Sequence, residues 1–154
     1  MIRYAFYEFK FGILKIGYTD TAVTFLKRTD RIEACSEPSV LSDMAFKQVK
    51  EYLKGIRQTF DFPYELCGTE FQKKVWNALC QIPYGERRSY KQIAEAVGNP
   101  KGSRAVGMAN NKNPITIAIP CHRVIGTDGS LVGYAGGLEM KKSLLELEQS
   151  RKPV

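Results

Sequence analysis

Ile115-Thr116-Ile117-Ala118-Ile119-Pro120-Cys121-His122-Arg123-Val124 is the stretch around which the chain is ordered. Ile115, Ile117 and Ile119 alternate with smaller residues, the period of a strand with one buried face. Pro120 donates no N–H and fixes its own φ, so sheet pairing is expected to stop there. Cys121 and His122 would then leave the end of an ordered strand, where a side chain is held rigidly yet stays reachable. His122 is the sole histidine, so any imidazole chemistry is its own. A cysteine behind an apolar strand also reads as a small core residue. The rest of the sequence separates the two readings.

The 154 residues, 44% of them hydrophobic, suffice for one full domain or a compact domain with a small companion. No apolar run approaches a membrane span, and Met1-Ile2-Arg3-Tyr4 opens no signal-peptide pattern, so a cytoplasmic protein without membrane partners is expected. Cys35, Cys67, Cys80 and Cys121 form no CxxC pair, which argues against a disulfide framework. With one histidine and scattered cysteines, no metal site is expected. Lys and Arg number 23 against 16 acids, a net charge of +7 and a pI near 9.3. Such a surplus suits a polyanion, nucleic acid above all, or simply solubility.

Residues 3–29 are rich in β-formers and read as antiparallel strands, with Thr19-Asp20 as a hairpin turn. Residues 30–41 read as a loop. Ser42 is placed as the cap of a helix whose apolar face is Ala45, Val49, Tyr52, Leu53 and Ile56. No catalytic cluster appears in this part, which reads as scaffold. Thr59 to Gly68 reads as a linker. The domains are expected at 1–62 and 63–154. Beyond the linker the texture changes to short capped helices. Thr69-Glu70-Phe71-Gln72 and Ser89-Tyr90-Lys91-Gln92 are capping boxes. Asn99, with Pro100 behind it, is placed as the cap of a further helix running through Arg104 to Ala109. Two short helices joined across Gly98-Asn99 suit a helix-turn-helix with a small-faced, basic second helix, or a helical hairpin in an ordinary core.

The last helix, Leu138 to about Gln149, sets Glu148 on the same stripe as Leu144 and Leu145. A carboxylate there needs a partner or lies at a frayed end in water. His122 is the natural partner, since a carboxylate on one imidazole nitrogen orients the ring as a base through the other. Direct contact between adjacent Cys121 and His122 side chains is awkward, and a bridging water is the easier geometry. An unassisted thiol titrates near about 8.5, so such help populates the thiolate at neutral pH. Asn113, before Pro114, either fixes the approach to Cys121 or is simply a turn residue.

Pro120-Cys121-His122-Arg123-Val124 resembles the active-site signature of the O6-alkylguanine-DNA alkyltransferases, the methylated-DNA–protein-cysteine methyltransferases. Thr69 to Trp76, Ile82 to Gly85, Ser89-Tyr90, Gly98 to Pro100, Arg104 to Gly107, Asn113-Pro114, Asp128 to Ser130, Gly133 to Glu139 and Glu148 follow the family pattern in order. The likeness covers about residues 60–150, while residues 1–60 match in size and strand character.

The resemblance implies an α+β protein: a small ribonuclease-H-like N-terminal domain and a helical C-terminal domain with a helix-turn-helix and an active-site loop. It implies single-turnover DNA repair, with Cys121 taking the alkyl group from O6-alkylguanine and more weakly from O4-alkylthymine, with no cofactor. His122 and Glu148 would form a water-mediated relay and Asn113 would order the site. A monomer would bind double-stranded DNA in the minor groove. Arg104 would fill the gap left by the flipped nucleotide, and Tyr90 would help turn it out and donate to the base. Tyr134, Ala135 and Gly136 would wall the pocket, and Val124 would contribute backbone contacts to the guanine. Ala135 stands where some members have a serine, so that hydrogen-bond donor is missing. The zinc-binding residues of some relatives are not evident. A sister group that binds lesions without repairing them carries tryptophan at the position of Cys121. The alternatives are a non-catalytic lesion binder that recruits other factors and a helix-turn-helix regulator that prefers one undamaged sequence.

Overall fold

Alternating β-formers near the N-terminus make three strands: β1 (Arg3–Phe9), β2 (Gly12–Tyr18) and β3 (Val23–Thr29). The computed structural model describes residues 1–33, 35–131, 134 and 136–151. The strands form one antiparallel sheet in the order β1-β2-β3, with Ala5 opposite Ile16 and Ile16 opposite Leu26. Those three side chains are fully buried, as are Ala45, Val49 and Tyr52 on helix α1 (Val40–Leu53), which packs on the sheet. Burying one large aliphatic side chain contributes about 1.5–3 kcal/mol, so this shared apolar layer is what holds helix and sheet together. The cap of α1 is Ser39, not Ser42; Ser42 is the third residue of the helix and returns the bond. Ile56 lies beyond the helix end and is 72% exposed, so the apolar face closes at Tyr52.

The chain divides into two compact units, Met1–Cys67 and Gly68–Val154. The stretch expected as a linker instead lies along the start of β3: Val23 N–H donates to Pro63 O and Glu65 N–H to Val23 O, at 2.9 and 3.0 Å. Phe62 is buried there, which draws residues up to Glu65 into the first unit and moves the boundary past 62/63.

In the second unit both capping boxes form, opening α2 (Glu70–Cys80) from Thr69 and α3 (Tyr90–Ala96) from Ser89. The next helix, α4 (Ser103–Asn111), begins later than Asn99. Gly102 N–H donates to Asn99 O at 2.8 Å, so residues 99–102 close as a separate turn before the helix starts. Helix α2 packs on α3 and α4, and Trp76 of α2 donates its ring N–H to Ala109 O at 2.9 Å inside that packing. A two-residue strand β4 (Arg88–Ser89) runs parallel to β5 (Val124–Ile125), and α5 (Leu138–Arg151) closes the unit. Among the described residues no helix is long and apolar enough to cross a membrane.

The strand expected over Ile115–Ile119 does not form. The alternation signals burial correctly, since all three isoleucines are 0–1% exposed, but the backbone turns repeatedly. Ile119 N–H donates to Ile115 O at 3.1 Å and Ala118 N–H to Thr116 O at 2.8 Å, and Ile117 has φ 71°. Asn113 holds the turn together: Nδ2 donates to Ile119 O at 2.8 Å and Oδ1 accepts from Ile115 N–H at 3.0 Å. Cys121–Arg123 then form a single 3-10 turn behind Pro120.

Candidate active site

Three elements meet at the 3-10 turn: the Asn113–Pro120 turn before it, β5 behind it and the buried stripe of α5. On that stripe lie Lys141, Leu144, Leu145 and Glu148, all 0–3% exposed. Glu148 therefore faces inward, where Oε2 pairs with His122 Nε2 at 2.7 Å. Of the two readings of Glu148, frayed end or buried partner, the structure has the second.

Arg123 completes the network. Its Nε and Nη2 donate to the two Glu148 oxygens at 2.8 and 2.9 Å, and Nη1 donates to Ile82 O at 2.7 Å. Gly85 N–H adds a bond to Glu148 Oε1 at 3.3 Å. A buried charge is tolerated when it is paired and its lone pairs are satisfied, as here. Burial alone would raise the Glu148 carboxyl, but His122 and Arg123 outweigh it and hold the group at about 2. His122, fully buried, is lowered from its ordinary value by desolvation, with the Glu148 bond opposing.

Those two directions fix the tautomer. A carboxylate only accepts, so His122 Nε2 carries the hydrogen, and in a neutral ring Nδ1 is then the basic nitrogen.

Cys121 is 3% exposed, more enclosed than a residue emerging from a strand end. Its carbonyl accepts from Asn110 Nδ2 at 3.3 Å. The Lys141 ammonium is 0% exposed and donates to Val124 O at 2.5 Å. Desolvation lowers Lys141 to about 8, and the Cys121 sulfur acts in the opposite direction. The same sulfur, after burial, pushes up the hydroxyls of Tyr90 and Tyr134, so both phenols stand near it. Tyr90 is half-buried at the first position of α3, its ring packed toward Gly107 of α4 and 5.9 Å from Lys141 Nζ. Gly136 is buried, and a Cβ there would lie 2.8 Å from both the Met140 sulfur and the Tyr134 ring. Its bare backbone thus serves local packing as well as any wall. Ala135 and Gly133 lie outside the described residues. Arg104 is exposed on the first turn of α4, away from the buried network. Arg87, Arg88 and Lys91 line a separate groove of about 400 Å³ against the Ile125–Gly129 loop.

Sequence reasoning did not single out Asn110, Arg123 or Lys141 as members of this site. Each left a signal. Arg123 adjoins the Cys-His pair, Lys141 shares the Glu148 stripe, and Asn110 is a polar residue on the α4 face that buries Val106 and Ala109.

Residues 70–150 match the family model described as the DNA binding domain of 6-O-methylguanine DNA methyltransferase. The methylated-DNA–protein-cysteine methyltransferase of Methanosarcina barkeri is 52% identical over 129 residues, 82% of each chain. That of Methanosarcina acetivorans is 47% identical over 153 residues, 96% of this chain and 98% of its own. Among solved structures, the Mycobacterium tuberculosis protein in complex with DNA superposes with a TM-score of 0.88 at 43% identity, covering 99% of this chain and 96% of its own. The mixed α/β fold, with its three-stranded sheet and helical second unit, is that of these methyltransferases. The chain belongs to the 6-O-methylguanine DNA methyltransferase family.

Proposed function

We propose that this chain repairs alkylated DNA by moving the alkyl group from O6 of guanine, and more weakly from O4 of thymine, onto the sulfur of Cys121. The observation that carries the assignment is the 2.7 Å bond between His122 Nε2 and Glu148 Oε2 directly beside the cysteine. It leaves a neutral imidazole with Nδ1 basic. Through a bridging water, Nδ1 takes the thiol proton. The thiolate then attacks the alkyl carbon in line: the sulfur–carbon bond forms, the carbon–oxygen bond breaks and the electron pair stays on the purine. The proton returns to the leaving guanine, so thiol and alkylguanine become thioether and guanine with nothing else consumed. A thioether carbon has no ready leaving group on the enzyme, so each molecule turns over once.

A cysteine 3% exposed cannot reach O6 inside a stacked duplex, which supports a base turned out of the helix. In this reading α3 and α4 act as a helix-turn-helix whose second helix lies in the minor groove. Arg104 fills the vacated space, and Tyr90 turns the nucleotide out and donates to it. Tyr134, Ala135 and Gly136 flank the base. The Val124 carbonyl, which accepts from Lys141 here, contacts it once that bond is exchanged. Asn113 orders the approach to Cys121. The first unit serves as a ribonuclease-H-like scaffold, and the protein works as a cytoplasmic monomer.

Incubation with a duplex carrying O6-methylguanine is expected to add one methyl mass to the peptide containing Cys121 and to stop at one equivalent. Cys121→Ala should bind the lesion duplex without gaining mass. An unmodified Cys121 with retained binding would instead identify a lesion-sensing binder.

A further inference from the structure

Asn110 is 1% exposed on the buried face of α4, beside Val106 and Ala109. An apolar side chain would serve that packing better, since a buried amide must find partners for four hydrogen-bonding positions. Its orientation is determined. A carbonyl can only accept, so the group facing Cys121 O at 3.3 Å is Nδ2. Oδ1 is sealed from solvent with no hydrogen-bond partner among the described residues, so the position is not optimised for stability. The Tyr90 ring packs over Gly107, one turn earlier on the same face of α4. The Asn110 amide acts on the Tyr90 hydroxyl as a donor to the phenolic oxygen does, against the rise caused by burial.

We propose that Asn110 is a positioning residue for Tyr90: its –NH2, forked between the Cys121 carbonyl and the Tyr90 hydroxyl oxygen, occupies a lone pair of that oxygen and turns the phenolic hydrogen outward, toward the base being dealkylated. The inference rests on the function proposed above and adds to it a link from α4, the element set against DNA, to both the nucleophile's backbone and the proton donor. The second N–H also polarises the O–H bond, so Tyr90 stabilises the charge that appears on the purine as the carbon–oxygen bond breaks.

The test is a double-mutant cycle read in single-turnover methyl transfer from a duplex containing O6-methylguanine. Asn110→Leu keeps the volume and removes both donors. It is expected to lower the plateau rate about tenfold, the worth of one polar hydrogen bond, with the half-saturating concentration unchanged within about twofold. Alkylation of Cys121 by iodoacetamide should change less than about twofold. In a Tyr90→Phe background, Asn110→Leu should add no further slowing. Equal slowing in both backgrounds, or a parallel fall in thiol alkylation, overturns the proposal, as does an unchanged rate. If circular dichroism shows Asn110→Leu unfolded, the cycle is run with Asn110→Ser, whose single O–H cannot reach both oxygens and reads the same coupling. Failure of the unsubstituted protein to take up methyl would instead overturn the transfer reading itself.

Discussion

One carboxylate serves two partners at this site, and the balance between them decides what His122 can do. Arg123 holds both Glu148 oxygens and keeps the group ionised, while its own positive charge disfavours a second one on the imidazole. Desolvation adds to that effect, so the ring stays neutral and receptive. The rate of methyl transfer should therefore hold as pH falls from 8 past 6.5, because the group that must be unprotonated titrates below its ordinary value. A single-turnover pH profile with its acid midpoint above 6.5 would contradict the assignment. Glu148→Gln removes the charge that both partners were folded around. Leaving Arg123 buried without its counter-ion is expected to cost about 3–5 kcal/mol in urea unfolding. Loss of the enforced tautomer should slow transfer at least about tenfold beyond any loss of folded protein.

At the scale of single elements, the turn from Asn113 to Pro120 does what a strand end was expected to do. It is held by two side-chain bonds of Asn113 rather than by a ladder. At about 1 kcal/mol each, losing both in Asn113→Ala should lower stability by about 2 kcal/mol. Asn113→Asp keeps the acceptor for Ile115 N–H but sets an unpaired carboxylate in a buried place against Ile119 O, and should cost more than Asn113→Ala. Chemical denaturation of the two variants checks the order, and parental stability in Asn113→Ala would show that the turn stands without Asn113. Why this turn escaped sequence reading is physical. Alternating isoleucines report burial, and burial was read correctly, but burial does not say which groups take the backbone hydrogen bonds. The left-handed φ of Ile117 is disfavoured for a β-branched residue and leaves no trace in local propensity. The capping boxes at Thr69 and Ser89 were legible because a cap is a contact between neighbours three residues apart. The pairing of Glu148 with His122 was legible because an inward carboxylate and a lone imidazole constrain each other even at long range. Arg123 was harder to see. Its sequence neighbours do not show that it turns back to the same carboxylate.

Across the whole molecule, buried ionisable groups make stability depend on pH in a definite direction. Glu148 is held at about 2 in the folded chain against 4.5 ordinarily, so its contribution is complete above 4.5 and is lost as pH falls from there toward 2. His122, lowered below 6.5, acts in the same sense. The unfolded chain binds its proton first, and stability declines as pH drops below 6.5. Lys141 governs the other side. Its ammonium is buried at about 8 against 10.5 when exposed, so between those values the unfolded chain holds a proton that the folded chain has given up. Stability contributed by Lys141 therefore rises with pH across that window, by roughly 3 kcal/mol at its upper end. The raised hydroxyls of Tyr90 and Tyr134 act oppositely above 10, so the effect is read as a difference. Lys141→Met keeps the stem and removes the charge. It should be more stable than the parent at pH 7, and the gap should close steadily as urea unfolding is repeated from pH 8 to 10. A constant gap would mean that the folded chain holds the Lys141 proton as tightly as the unfolded chain does.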